Sequence, residues 1–178
     1  MQFRSLLLVA LASSAATANY NIHLYEHRNC RWKIGRTCSN KRARSCCDYD
    51  GKKFKSARFE EASGHSRVSN DQLKLYPDST CVGPPVEQHT GTGCLSCREK
   101  DVKSAQVFII VGGSAEENNG PVKSVEPDES FMEEGPYRYT VKRDSPEGQE
   151  YDKLERLEDK ADYLRVFGKR ENITESED

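Results

Sequence analysis

Three groupings of residues in this 178-residue chain have types and spacing that could do chemistry. His23-Leu24-Tyr25-Glu26-His27 reads H-x-x-E-H, a pattern in which two imidazoles on one helical face hold zinc while the glutamate activates water. The context here is a strand, because Ile22 and Leu24 alternate with polar neighbours and no helix cap precedes them. In a strand, His23 and His27 share a face but stand about 13 Å apart, too far for one metal ion. Cys94-Leu95-Ser96-Cys97 is a C-x-x-C, whose redox chemistry requires a strand-to-helix turn and a lowered thiol pKa. Neither context is met. The chain also lacks a G-x-S-x-G elbow and a Gly-rich phosphate loop. The expectation is of a protein that is not an enzyme, with no catalytic residue, no metal site and no cofactor.

The third grouping is electrostatic. Arg28, Arg31, Lys33, Arg36, Lys41, Arg42 and Arg44 follow one another with no acidic residue between them, and Tyr25 and Trp32 lie close by. A basic surface patch of this kind suits an anionic polysaccharide, a lipid surface or nucleic acid. The same run also reads as a solvated loop held by cysteines, or as a seat for an acidic segment of the same chain. A specific nucleic-acid role is not expected; a host or microbial protein is a further partner class.

These groupings must be positioned by elements, and the chain opens with a segment that is not one of them. Arg4 precedes an apolar run over residues 6–12, too short to cross a bilayer, which ends in Ala16-Thr17-Ala18. Residues 1–18 therefore read as a signal peptide, and the product as secreted and extracellular. No later run approaches eighteen apolar residues, so no transmembrane segment is expected. In an oxidising compartment, Cys30, Cys38, Cys46, Cys47, Cys81, Cys94 and Cys97 read as a disulfide framework. Seven is odd, and the spacing leaves the connectivity open. Cys46 and Cys47 are adjacent and poorly placed to share one partner region, so the unpaired thiol is expected at one of them.

A phrase repeats within the cysteine-bearing region. Residues 22–30 and 73–81 share an apolar residue, Leu-Tyr, and a Cys five residues after the Tyr. Lys55-Ser56-Ala57 recurs as Lys103-Ser104-Ala105 at an offset of 48. A duplicated unit of this size implies one architecture built twice. Alternation around Ile22, Phe54 and Leu75, the β-rich run at residues 102–111 and frequent Gly/Pro turns make both units all-β. These residues resemble the βγ-crystallin superfamily, whose Greek-key unit carries an aromatic residue, a Gly several residues on and a later Ser. Tyr76, Gly83 and Ser104 fit the pattern; Tyr25 and Ser56 fit it in the first copy, where Arg31 or Trp32 replaces the Gly. Cys30 and Cys81 stand where the family commonly has an aromatic. The resemblance implies a sandwich of two Greek keys over residues 19–111. It also implies calcium sites, which here are degenerate: Asp101 and Ser104 survive in one and Ser56 in the other, with lysines in acidic places. The whole composition is similar to that of small cysteine-rich secreted fungal proteins, toxins and effectors among them.

The charge changes sign after this region. Residues 19–111 carry 16 Lys/Arg against 10 Asp/Glu, and residues 112–178 carry 10 against 19. Residues 112–136 are acidic and rich in Gly, Ser and Pro, the composition of a disordered flexible linker. Residues 137–178 then supply one strand, an amphipathic helix and a charged tail. The helix is expected from an Asp144/Glu147 capping box and Pro146 to a stop at Gly168, with Tyr151, Leu154, Leu157, Ala161, Leu164 and Phe167 as its apolar stripe and Asp152–Arg156 as an i,i+4 pair. Lys142-Arg143 and Lys169-Arg170 are pairs of the kind that kexin-like proteases cut, and Asn172-Ile173-Thr174 is a glycosylation acceptor. The function expected is a secreted, disulfide-stabilised, toxin- or effector-like binding protein that contacts a cell surface or anionic ligand. The competing expectation is a matrix protein assembling through its C-terminal helix. N-terminal sequencing of the secreted product is expected to begin at Asn19; Met1 retained in the medium would refute the signal peptide.

Overall fold

A computed structural model describes residues 18–30, 34–49, 52–63, 68–97, 101–111, 114–115 and 122–173; the leader, apart from Ala18, lies outside them. Strands β1 (Asn19–Tyr25), β2 (Ile34–Arg42), β3 (Cys46–Asp48) and β4 (Ser56–Ser63) form one unit. Strands β5 (Gln72–Tyr76), β6 (Glu87–Thr90), β7 (Leu95–Ser96) and β8 (Ser104–Phe108) form a second. In each unit the first strand lies between the second and fourth, and the third crosses into the other unit's sheet. One sheet therefore contains β2-β1-β4-β7 and the other β3-β8-β5-β6. A small pair, β9 (Ile110–Val111) and β10 (Ser114–Ala115), follows, and β11 (Ser124–Val125) runs parallel to β3. Strands β12 (Glu129–Glu134), β13 (Tyr137–Lys142) and β14 (Lys169–Asn172) extend the first sheet beyond β2. Helices α1 (Pro146–Tyr151) and α2 (Leu157–Phe167) connect β13 to β14.

The alternation read from the sequence is what closes the core. Tyr20, Ile22, Leu24 and Phe59 of the first sheet meet Leu73, Leu75 and Val107 of the second, all at most 1% exposed. The repeat is visible as paired contacts about a local two-fold. Phe54 and Val102, the same position in the two copies, bridge to each other, and the Phe54 N–H donates to the Val102 carbonyl at 3.0 Å. The Tyr49 N–H donates to the Lys103 carbonyl, and in the counterpart contact the Cys97 N–H donates to the Lys55 carbonyl. Ser56 Oγ donates to the His27 carbonyl and Ser104 Oγ to the Asp78 carbonyl, each at 2.6 Å. Both serines are fully buried, so each hydroxyl seals the corner that follows its tyrosine strand. Cys30 and Cys81 turn those corners in the left-handed region, at φ 48° and 53°.

The disulfides repeat the symmetry. Cys30–Cys94 and Cys46–Cys81 each tie the corner of one unit to the strand arriving from the other; Cys94 directly precedes β7 and Cys46 opens β3. Cys38–Cys47 adds a clasp between β2 and β3. The unpaired thiol is therefore buried Cys97, and neither Cys46 nor Cys47. Successive strand side chains point to opposite faces, so the adjacent pair reaches two separate partners without conflict.

Further expectations are corrected. The span assigned to an acidic linker contains β10, β11 and β12 among its described residues, and β12 pairs with both β2 and β13. Composition misleads here because Phe131 and Met132 are buried on opposite faces of β12, and Glu133 is matched by Arg58 and Arg138. The expected boundary between a domain at residues 19–111 and a separate C-terminal segment is thus crossed by a continuous sheet. The single helix is two helices, broken at residues 152–156. Ser145, not Asp144, caps α1 by accepting from the Gly148 N–H. Asp152 turns away from Arg156 to reach Arg36 at 2.6 Å, while Arg156 pairs with Glu158. Tyr151, Leu154, Leu157, Ala161 and Leu164 pack against Ile34, Met132 and Val141, whereas Phe167 at the end of the stripe is 56% exposed. Gly168 ends α2 as expected.

Each exchanged strand depends on its bridge. Cys30→Ser with Cys94→Ser opens a 64-residue separation and is expected to lower stability by about 4 kcal/mol. Cys97→Ala breaks no bridge and should cost clearly less. Equal losses in denaturant unfolding would remove the bridges from the account.

Candidate functional site

Chemistry-bearing side chains gather on the outer face of the first sheet, opposite its core. β1 supplies His23 and Tyr25, β2 supplies Thr37, β4 supplies Arg58 and Glu60, β12 supplies Phe131 and Glu133, and β13 supplies Arg138. Strand register brings them together: His23 lies beside Thr37 on one side and Arg58 on the other, and Glu133 lies opposite Arg138. Phe131 stands over Gly35 and packs edge-on against the His23 and Tyr25 rings, both at 5.3 Å. A Cβ at Gly35 would sit 3.2 Å from Phe131 and 2.0 Å from the Leu24 carbonyl, so only glycine admits this packing.

The charges in this cluster are matched. Glu133 Oε1 accepts from Arg58 Nη2 and Arg138 Nη2, each at 2.6 Å, and its side chain is 1% exposed. Arg138 also reaches Glu60 at 3.4 Å and covers the Phe131 ring. His23 Nδ1 is 2.9 Å from Thr37 Oγ1, and Nε2 is 3.2 Å from Glu60 Oε1. Burial lowers the His23 pKa, Glu60 opposes the shift, and Arg138 and Arg58 reinforce it, so the ring is neutral at pH 7. Burial works against ionisation of Glu60, but the His23 contact and Arg138 outweigh it and hold the carboxyl well below the usual range. Burial, with the Glu133 charge, raises the Tyr25 hydroxyl pKa.

Thr37, His23 and Glu60 follow the order hydroxyl, imidazole, carboxylate of a nucleophilic triad. His23 is 1% and Thr37 4% exposed, so no acyl group can approach the hydroxyl. His23 Nδ1 faces Thr37 and Nε2 faces Glu60, within the protein. Among the described residues, no group of three or more His, Cys, Asp and Glu could hold a metal ion. In the degenerate calcium position, Asp101 is held by Lys53 at 2.7 Å and by Lys55. Those ammonium groups lower its pKa to about 2 and occupy the charge a dication would need. The C-x-x-C is not a dithiol: Cys94 is bridged to Cys30, and burial, with Glu87, pushes the Cys97 thiol up to about 11.

The described residues of the basic run are placed in different surroundings. Arg31 and Lys33 lie outside the described residues. Arg36 is buried, paired with Asp152 and stacked 5.3 Å over Tyr49. Lys41 pairs with Asp128 at 2.8 Å, and Arg44 lies over Phe108. Arg28 and Arg42 are exposed. Alternation along β2 sends successive side chains to opposite faces, which a count of charges does not register.

An open concave surface lies elsewhere. A cleft of about 750 Å³ runs between α2 and the β2–β12 strands, with Ile34, Met132, Leu157 and Ala161 as an apolar floor. His27 lies at its margin, and on its rim Arg165 pairs with Glu134 and Asp162 at 2.9 and 2.6 Å. The helical stripe pointed to this floor. The buried network was missed, although Glu133-Glu134-Gly135-Pro136-Tyr137-Arg138 is a hairpin spacing that sets Glu133 opposite Arg138.

A family model described as the ARB_05566_N N-terminal domain matches residues 21–128, more than half of the chain. No curated protein and no solved structure matches it.

A buried neutral histidine ties stability to pH. With its folded pKa lowered, His23 contributes stability above about pH 6.5 that is lost as pH falls, at up to about 1.4 kcal/mol per pH unit. Urea unfolding from pH 8 to 5 should show this slope, and His23→Gln should flatten it. An unchanged slope in the variant would assign it to other groups.

Proposed function

The chain belongs to the ARB_05566_N family, and from that premise we propose that it is a secreted, non-enzymatic binding protein. Its two four-stranded units are read as Greek keys of the βγ-crystallin kind. The exchanged third strands, the two buried serines and the paired left-handed cysteines support that reading. Three disulfides are consistent with a stable extracellular protein, and no helix of the described residues is long and apolar enough to cross a membrane.

The observation that carries the binding role is the contrast between two places. The His23 imidazole, flanked by a hydroxyl and a carboxylate, is sealed, whereas the cleft beside α2 is open and floored by apolar side chains. Its rim charges pair among themselves, so an apolar anchor, not net charge, is what it selects. The partner is therefore read as a protein at a host or microbial surface that inserts an apolar side chain. An anionic glycan or lipid is the weaker candidate, since Arg36 and Lys41 are already paired. Assembly through the helix, the matrix reading, would use Val166 and Phe167, which are exposed at the end of α2.

Binding of the full secreted chain to intact cells is the test, alongside protease-stripped cells, anionic glycans and lipid vesicles. Ala161→Trp fills the cleft and should weaken binding to intact cells at least about tenfold, roughly 1.4 kcal/mol, with Tm measured alongside to separate lost binding from disturbed packing. Binding that survives stripping and follows anionic surfaces would return the basic residues to the lead. Self-association that rises with concentration and is lost in Phe167→Ser would favour the matrix role.

A further inference from the structure

One edge of the seven-stranded sheet is β14, which pairs with β13 and, among the described residues, with no other strand. All four of its residues are exposed. Asn172, the acceptor of the Asn172-Ile173-Thr174 sequence, is its last residue and the register partner of Tyr137. The Ile173 N–H donates to the Pro136 carbonyl at 2.8 Å, so the backbone is held at the acceptor while the side chain stands in solvent. Two residues upstream lies the basic pair Lys169-Arg170. Lys169 pairs with Glu171 at 2.6 Å, and the Arg170 guanidinium lies 3.4 Å over the Tyr137 ring.

We propose that Asn172 carries an N-linked glycan and that this glycan shields Lys169-Arg170 from dibasic-specific proteolysis. The inference rests on passage through the secretory pathway. The donor class is a lipid-linked oligosaccharide diphosphate. Asn172 Nδ2 forms a bond to the anomeric carbon of the first sugar as the bond from that carbon to the phosphate oxygen breaks; the amide proton is lost and the lipid diphosphate leaves. Because Asn172 is at an exposed edge and not in the core, the acceptor stays reachable after the sheet has formed. Residues two apart on a strand project to the same face about 7 Å apart, so the sugar rises beside Arg170. A protease that takes its substrate as an added strand would need the same free edge. The charged side chains of Lys169, Arg170 and Glu171 already discourage pairing with another chain, but they do not repel a protease that recognises basic pairs.

The test expresses the full chain in a eukaryotic secretory host as wild type, Asn172→Gln and Thr174→Ala. The second variant removes the acceptor sequence but keeps the asparagine. The secreted wild type should lose mass on treatment with a glycan-releasing amidase, with the change mapped to position 172, and neither variant should shift. Exposed to a dibasic-specific endoprotease, the glycosylated chain should lose its last eight residues several-fold more slowly than the amidase-treated chain or either variant. A secreted wild type with bare Asn172 overturns the glycan while leaving the secretion reading intact. Equal cleavage rates overturn the shield. Failure of the wild type to enter the secretory pathway, with the variants equally retained, overturns the secretion reading and the glycan with it.

Discussion

Phe54 and Val102 meet backbone to backbone at the point where the two units exchange strands, and the rest of the fold depends on that meeting. A short third strand such as β7 has two residues and cannot hold itself in a foreign sheet by ladder bonds alone. Three devices fix it there: the bridge at the local two-fold, a serine hydroxyl closing each corner, and a disulfide from each corner to the incoming strand. The serine corner and the disulfide occur twice, at equivalent positions of the repeat, and the bridge lies between them. The constraint also explains the cysteines. The Cys30–Cys94 and Cys46–Cys81 pairs are one bond repeated by the two-fold, whereas Cys97 takes the position that Tyr49 holds in the first copy and has no partner to mirror.

The sheet built this way leaves one long edge, β2, and the C-terminal part of the chain covers it. Two polar joints secure the cover. On the outer face, Glu133 of β12 sits between Arg58 and Arg138 under the aromatic pair Tyr25 and Phe131. On the inner face, Arg36 of β2 reaches Asp152 after α1, and Lys160 of α2 reaches Glu26 at 2.7 Å. Buried carboxylates are tolerated when each is met by a guanidinium or ammonium. The acidic character of the C-terminal part is thus largely the complement of basic residues earlier in the chain, which is why charge counted by segment suggested separate modules.

That pairing bears on function. The charges of Arg36, Arg58 and Arg138 are met inside these joints, and the His23 imidazole lies closed to solvent beside them. What the joint creates is the cleft where α2 meets β2 and β12, a surface that exists only because the family domain and the C-terminal extension share a sheet. Binding through the cleft would therefore engage both parts of the chain at once.

The sequence by itself determined the periodicities and the repeat. The strands around Ile22, Phe59, Leu75 and Val107, the strand at Tyr137–Lys142, the duplicated tyrosine corners with Ser56 and Ser104, and the apolar stripe ending near Gly168 were all legible, because each follows from local alternation, spacing or turn chemistry. Which strand lies beside which was not. Only the tertiary structure decided that Cys46 and Cys47 bond in different directions, that β12 enters the sheet despite its acidic composition, and that Asp152 prefers Arg36 to its helical neighbour Arg156. Each of those outcomes joins residues far apart in the chain. Pairings of that range depend on which faces the folded sheets bring together, and a one-dimensional pattern carries the face of each residue but not its opposite number.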